Sequence, residues 1–145
     1  MTPRPFRFVP TFRALLATAL VALVVPATHA AVTAEPGTPG RAYLDLRVAV
    51  EKATTPEAVL PYLSATYRRV VSRLPKAERE GWLARLKRVP PAQVKLQAQA
   101  LAGDRVALGA VARDASHVKW SGRIEMVREG GAWRLADESW TTEHR

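Results

Sequence analysis

Cysteine is absent from the 145-residue sequence, which excludes disulfides, thiolate metal sites, a thiol nucleophile and lipidation on cysteine. Asparagine is also absent, and arginine outnumbers lysine 17 to 5, a bias that a GC-rich bacterial genome imposes. No P-loop, Gly-rich dinucleotide fingerprint, His-Glu-x-x-His zinc motif or Gly-x-Ser-x-Gly elbow occurs, so no cofactor is indicated by motif. Acidic residues are few, 13 against 22 basic ones. What remains is ordinary globular material: 48% hydrophobic and 24% charged residues, neither a disordered polyelectrolyte nor more than one domain in length.

The first thirty residues read as a targeting segment. Arg4, Arg7 and Arg13 precede ALLATALVALVV at 14–25, a twelve-residue run in which Thr18 is the one polar side chain. Pro26 breaks the run, and Ala27, Thr28, His29 and Ala30 follow. A basic start, a short apolar run and small residues at the end describe a secretory signal peptide. As a helix the run rises only ~18 Å, short of a ~30 Å hydrocarbon core, which argues against a membrane anchor. Cleavage after Ala30 by the general secretory route is expected, with a periplasmic or secreted product. The processed chain then keeps 115 residues and a net charge of +6, and loses Phe6, Phe8 and Phe12, the only phenylalanines.

Residues 31–40, with two prolines and two glycines, read as a flexible leader, and 41–142 as one domain. From 41 to 53, Tyr43, Leu46 and Val50 recur at helical steps beside Leu44 and Val48. Thr55, Pro56 and Glu57 restart a short helix over 57–63, with Pro61 near its beginning. Longer helical stretches follow over 67–74 and 76–89, divided by Pro75 and ended by Pro90-Pro91. Their apolar residues Val70, Val71, Leu74, Leu83 and Leu86 need only one side. The period then becomes two. Val94, Leu96, Ala98 and Ala100 alternate with polar residues, as do Val106, Leu108, Ala110 and Ala112. A third strand over 117–128 and a fourth over 133–141 meet at Gly130-Gly131. The order predicts an α+β fold in which N-terminal helices pack on a curved, cone-like, four-stranded antiparallel sheet. Trp133 and Leu135 are expected on one buried face with Ile124 and Met126.

Residues 122–140, GRIEMVREGGAWRLADESW, resemble the closing hairpin of the nuclear-transport-factor-two-like superfamily (SnoaL-like, a cystatin-like α+β cone). There, a Gly-led strand, an acidic-Gly-Gly turn and a Trp-x-Leu strand close the sheet. The stretch TPEAVLPYLS at 55–64 is similar to the second-helix region of exported members. The resemblance covers about residues 41–142 and implies the cone fold. It does not imply one function, because the superfamily includes isomerases, dehydratases, hydrolases, cargo binders and non-catalytic modules. Its enzymes carry Asp, His or Tyr inside the cone.

Candidate chemistry is sparse. His117, beside a turn containing Asp114, is a weak candidate for an acid–base pair, and His144 lies near the C-terminus. Asp45, among apolar helical neighbours, is a second weak catalytic candidate, although Arg41 four residues earlier offers surface pairing. Glu125 reads as one half of a cross-strand ion pair. With one credible histidine and no cysteine, no metal site is expected. A ligand pocket, if one exists, draws its aromatic lining from Tyr43, Tyr62, Tyr67, Trp120 and Trp133.

Charge is the most distinctive feature. Arg68, Arg69, Arg73, Lys76, Arg79, Arg85, Lys87 and Arg88 are opposed within their stretch only by Glu78 and Glu80, a segment that carries the whole excess of the processed chain. Such a segment suits an anionic envelope lipid or a periplasmic protein, or is simply solvated. Nucleic acid is not an expected partner, because aromatic residues are not interleaved with the basic ones. A homodimer stays open. The reading favoured by the sequence is an exported, non-catalytic binding module for a small apolar ligand, an envelope component or a protein. The alternative is a small isomerase- or dehydratase-type enzyme using a cavity carboxylate or His117 as base.

Overall fold

The computed structural model describes residues 32, 34–90 and 93–142. The signal-peptide reading of residues 1–30, part of the leader and His144 therefore lie outside the described residues. Thr38 opens the first helix, α1 (Pro39–Lys52), its hydroxyl accepting from Arg41 N at 3.2 Å, with proline at the start where no amide donor is needed. The helix thus starts at Pro39 rather than Arg41, within the stretch read as leader. Tyr43, Leu46 and Val50 form its buried stripe, each at most 1% exposed. Burying side chains of this size contributes ~1.5–3 kcal/mol apiece.

The short helix expected over 57–63 is instead two separate 3₁₀ turns, Pro56–Ala58 and Leu60–Tyr62. Pro61 is the reason. It has no N–H to donate to the Glu57 carbonyl, and its ring would crowd that carbonyl in an α-helix. Ser64 then caps α2 (Ala65–Arg73), accepting from Tyr67 N at 3.2 Å. After Pro75 comes α3 (Lys76–Arg88), with Glu78 in its first turn and Arg85, Lys87 and Arg88 in its last, as the helix dipole favours. Val71 faces inward from α2, whereas Val70 is 56% exposed, so the apolar residues of α2 do not all share one side.

Four strands complete the chain: β1 (Lys95–Ala102), β2 (Arg105–Arg113), β3 (Lys119–Glu129) and β4 (Ala132–Thr142). They pair antiparallel in the order β1-β2-β3-β4, a meander with the helices packed against it, which is the α+β architecture expected. Gly130 and Gly131 both take positive φ, 58° and 80°, the conformation that two-residue hairpin turns need. The segment before α2 lies beside β4, where Ser64 N donates to Leu135 O at 2.8 Å.

Two bulges change which face the side chains present. In β1 the pairing passes from Leu96↔Ala110 to Ala98↔Gly109, leaving Gln97 as the extra residue. Cross-strand partners share a face, so Leu96 is on the core side, and beyond the bulge Gln99 and Leu101 are while Ala98 and Ala100 are not, although Leu101 at the strand end stays 64% exposed. In β4 the pairing passes from Met126↔Leu135 to Glu125↔Asp137, leaving Ala136 extra. Leu135, Ile124 and Met126 are buried at 0–1% exposure, while Trp133 is only half-buried. Past Ala136 the phase reverses, and Glu138 and Trp140 point to the helix side. Glu125 does lie on the opposite face, but its ion pair runs along the strand, to Arg123 at 3.1 Å, and not across it. Its cross-strand neighbour is Asp137.

Candidate functional site

The inner face of α2 presents Tyr67, and α3 presents Trp82 against it, with ring centroids 6.3 Å apart at 80°. Trp82 Nε1 donates to the Tyr67 hydroxyl at 3.1 Å, and burial pushes that phenol above its ordinary pKa. Across from this pair stands Trp120 of β3, whose Nε1 donates to Asp114 Oδ2 at 3.1 Å. Asp114 is itself fixed, because its Oδ1 accepts from Ser116 N at 2.9 Å and Val118 N at 3.0 Å. The Trp120 bond, with those two amides, holds the Asp114 carboxyl below the usual range.

Between these elements lies an open groove of about 680 Å³, lined by Tyr67, Trp82, Arg85, Leu86, Arg88, Val89, Trp120 and Glu138. Its size falls within the ~300–1,000 Å³ of small-molecule sites. Both indole N–H groups are satisfied by protein partners, so the aromatic walls are oriented in advance and offer apolar surface. Arg85 and Arg88 are exposed and make no ion pair among the described residues.

Glu138 reaches the groove from the reversed face of β4, its side chain only 8% exposed. The Tyr43 hydroxyl donates to its Oε2 at 3.0 Å, and Arg47 NH1 stands 3.8 Å from its Oε1. Burial raises the Glu138 carboxyl above the ordinary range, and Asp137 adds to this, while Arg47, Tyr43 and Trp140 pull the other way. Tyr43 is pushed up as well, first by burial and then by the charge on Glu138. The Trp140 Nε1 is buried near both groups without meeting hydrogen-bond geometry. A desolvated carboxylate touching a phenol and a guanidinium is where perturbed titration is expected.

The residues singled out from the sequence do not form one lining. Tyr67 and Trp120 share the groove with Arg85 and Arg88. Tyr62 and Trp133 line a separate hollow of about 270 Å³, together with Asp45. Asp45 is exposed and paired to Arg41 at 2.9 Å, so it is the surface pair and not the cavity carboxylate. Tyr43 is fully buried and reaches the groove only through Glu138. His117 sits in the turn itself, at φ 63°, rather than at a strand start. Its expected partner Asp114 accepts from two amides and from Trp120, and among the described residues no side-chain hydrogen bond joins it to His117.

The basic residues divide as well. Arg79 pairs with Glu57 at 3.3 Å, Lys76 with Glu80 at 3.9 Å, and Lys87 donates to Ala53 O. Arg68, Arg69 and Arg73 stay exposed on α2. Among the described residues, no cluster of three or more His, Asp or Glu could hold a metal ion. A further hollow of about 390 Å³ beside α1, lined by Leu44, Val48 and Val94 among others, has no aromatic wall. No helix among the described residues is long and apolar enough to cross a membrane.

Trp82, Trp140, Arg47 and Glu138 were not marked by sequence reasoning. One signal was available for two of them. Trp133 and Leu135 occupy odd positions and Trp140 an even one, so they share a face of one strand only if a bulge lies between them.

No protein-family model matches the chain, and no curated protein does. Among solved structures, one similar fold is an NTF-2-like protein of unknown function from Silicibacter pomeroyi, at 14% identity and TM-score 0.36. That match covers 45% of this chain and 57% of the other, so the chain spans just over half of that protein. An NTF2-like protein of unknown function from Shewanella baltica matches at 11% identity and TM-score 0.43, over 72% of this chain and 94% of its own. A SEC-C motif containing protein from Rhodopseudomonas palustris matches at 12% identity and TM-score 0.44, over 73% and 78%. Two of the three carry the family description that residues 122–140 resemble. At these identities and TM-scores the likeness carries no argument about what this chain binds or does.

Proposed function

We propose that the protein is an exported, non-catalytic binding module that takes a small amphipathic ligand with an anionic end. The observation that carries this reading is the groove with Tyr67, Trp82 and Trp120 as its walls and Arg85 and Arg88 at its rim. Preoriented rings supply apolar contact at little entropic cost. Two guanidiniums with no ion pair among the described residues suit a carboxylate, sulfonate or phosphate group, which they can grip with paired N–H donors. Support for export is confined to the Arg-rich start, the twelve-residue apolar run and the small residues ending at Ala30.

Native mass spectrometry of the protein recovered from the periplasm tests the binding reading. Wild type should carry a co-purifying small molecule that Arg85→Gln/Arg88→Gln lacks. Identical spectra from the two proteins would contradict it. N-terminal sequencing tests export: the product should begin at Ala31, and an intact Met1 in the membrane fraction would contradict it.

A second reading rests on one observation, the buried carboxylate of Glu138 opening on the same groove. With its pKa raised, Glu138 is the residue here best suited to general acid–base work. Binding is preferred because both Glu138 oxygens already face protein groups, Tyr43 and Arg47. Glu138→Gln separates the two readings: a binding module keeps its ligand, whereas an enzyme keeps its ligand and loses turnover.

A further inference from the structure

The nine-residue helix α2 carries three arginines and no acidic side chain. Tyr67 and Val71 occupy its inner side, so Arg69 and Arg73 lie on the outer one and Arg68 at its flank, all three exposed. None of the three has an ion pair among the described residues. Other basic residues do find partners, Arg41 in Asp45, Lys76 in Glu80, Arg79 in Glu57 and Arg123 in Glu125, whereas Arg85 and Arg88 at the groove are exposed and, like the three on α2, have no ion pair among the described residues.

This concentration works against the helix that bears it. Arg69 and Arg73 are one turn apart, a like-charge spacing that disfavours helix. Arg68 and Arg69 lie mid-helix, where the dipole gives them no support, whereas Arg73 in the last turn is favoured by it. Glu129 Oε2 accepts from Ala65 N at 2.9 Å, which satisfies an end amide and not a guanidinium. No ion pair among the described residues neutralises the three guanidiniums, which leaves them open to an external anion.

The kind of anion is indicated by Val70, which is 56% exposed and one turn from Arg73. A soluble polyanion gains nothing from an exposed valine among arginines. A bilayer does, because its phosphate layer meets the guanidiniums while its acyl boundary receives the apolar side chain. A convex helical face also fits a plane better than it grips a chain. We infer that the outward face of α2 docks the protein on an anionic phospholipid bilayer, through Arg69, Arg73 and Val70, with the long side chain of Arg68 reaching the same surface from the opposite flank of the helix. This surface is separate from the groove and does not depend on the groove's ligand.

The test is flotation of the purified full-length protein with phosphatidylcholine vesicles, with and without a one-third share of phosphatidylglycerol. The anionic lipid should add binding at about 0.1 M salt that disappears at about 1 M, as the Debye length falls from ~10 to ~3 Å. Arg68→Gln/Arg69→Gln/Arg73→Gln should weaken the phosphatidylglycerol-dependent part about a hundredfold, from the attraction typical of three basic groups near such a surface. The corresponding triple change to Lys should restore most of it, and Val70→Ser should weaken it severalfold. Comparing variants within the full chain cancels any contribution of the N-terminal apolar run. Equal binding by wild type and the Gln variant, or no added binding with phosphatidylglycerol, would overturn the inference. So would arginine-dependent binding to soluble heparin as strong as to vesicles and indifferent to Val70→Ser, which would assign the face to a polyanion.

Discussion

The Tyr43 hydroxyl donates to Glu138 Oε2 at 3.0 Å, joining α1 to β4 across 95 residues of sequence. The bond is almost wholly buried, and it is one of two contacts that satisfy the carboxylate. Tyr43→Phe keeps the ring that fills the core and removes only the donor. Leaving a buried charged acceptor short of a partner costs about 1–3 kcal/mol. Urea unfolding should show a loss of that size with an unchanged slope, and no loss would mean that water replaces the hydroxyl.

Glu138 makes the stability of the fold depend on pH in a stated direction. Its folded-state pKa is raised, chiefly by burial, so the fold prefers the neutral acid. The contribution of that preference is complete below the ordinary glutamate pKa of ~4.3 and is lost as pH rises through the higher folded value. Glutamine imitates the neutral acid at every pH. The stability of Glu138→Gln relative to wild type should therefore increase from about pH 4 to about pH 7. The opposite trend in urea midpoints would show that Arg47 dominates and that the carboxylate is held ionised.

Gly122 is required by the ring that lies on it. A Cβ built there would stand 2.6 Å from Trp140 ring atoms, and the two residues are direct partners across β3 and β4. Overpacking of this kind costs about 1–3 kcal/mol. Gly122→Ala should lower the melting temperature, and much of the loss should vanish when Trp140→Leu is combined with it. Strictly additive effects would mean that the alanine is accommodated by backbone movement.

Helices and strands were legible because their apolar residues repeat at periods that backbone geometry enforces. The stripe of Tyr43, Leu46 and Val50, the alternation from Val106 to Ala112 and the Gly130-Gly131 turn all stand where periodicity predicts them. The site was less legible, and the bulge at Ala136 explains much of the gap. Unbroken alternation from Trp133 and Leu135 would turn Glu138 and Trp140 away from the helices, whereas one extra residue turns both toward them and brings Glu138 to the groove. Asp45 and His117 were attractive only as residue types. One is drawn to Arg41 a turn away, and the other loses its partner to the amides of its own turn.

Asp114 acts on the groove through Trp120. Removing its carboxylate in Asp114→Ala frees the indole N–H and two loop amides together. The ring then samples other rotamers, and a ligand must pay to order it. Affinity for 1-anilinonaphthalene-8-sulfonate, an anionic aromatic probe, should fall severalfold with little change in melting temperature. Asp114→Asn should retain part of the affinity, because its side-chain oxygen still accepts. Unchanged affinity in Asp114→Ala would show that Trp120 is held by packing alone.

The claim that the groove between α2, α3 and the sheet is a ligand site is tested most directly by titrating that same probe. Trp82 and Trp120 both line the groove, so occupancy is read from tryptophan quenching and probe emission together. Wild type should bind one equivalent saturably, and Arg85→Gln/Arg88→Gln should weaken binding at least about tenfold, as expected for losing two charge-assisted contacts. Arg68→Gln/Arg69→Gln/Arg73→Gln, altered outside the groove, should bind as wild type does. Failure to saturate, or equal affinity in the Arg85→Gln/Arg88→Gln protein, would contradict the account.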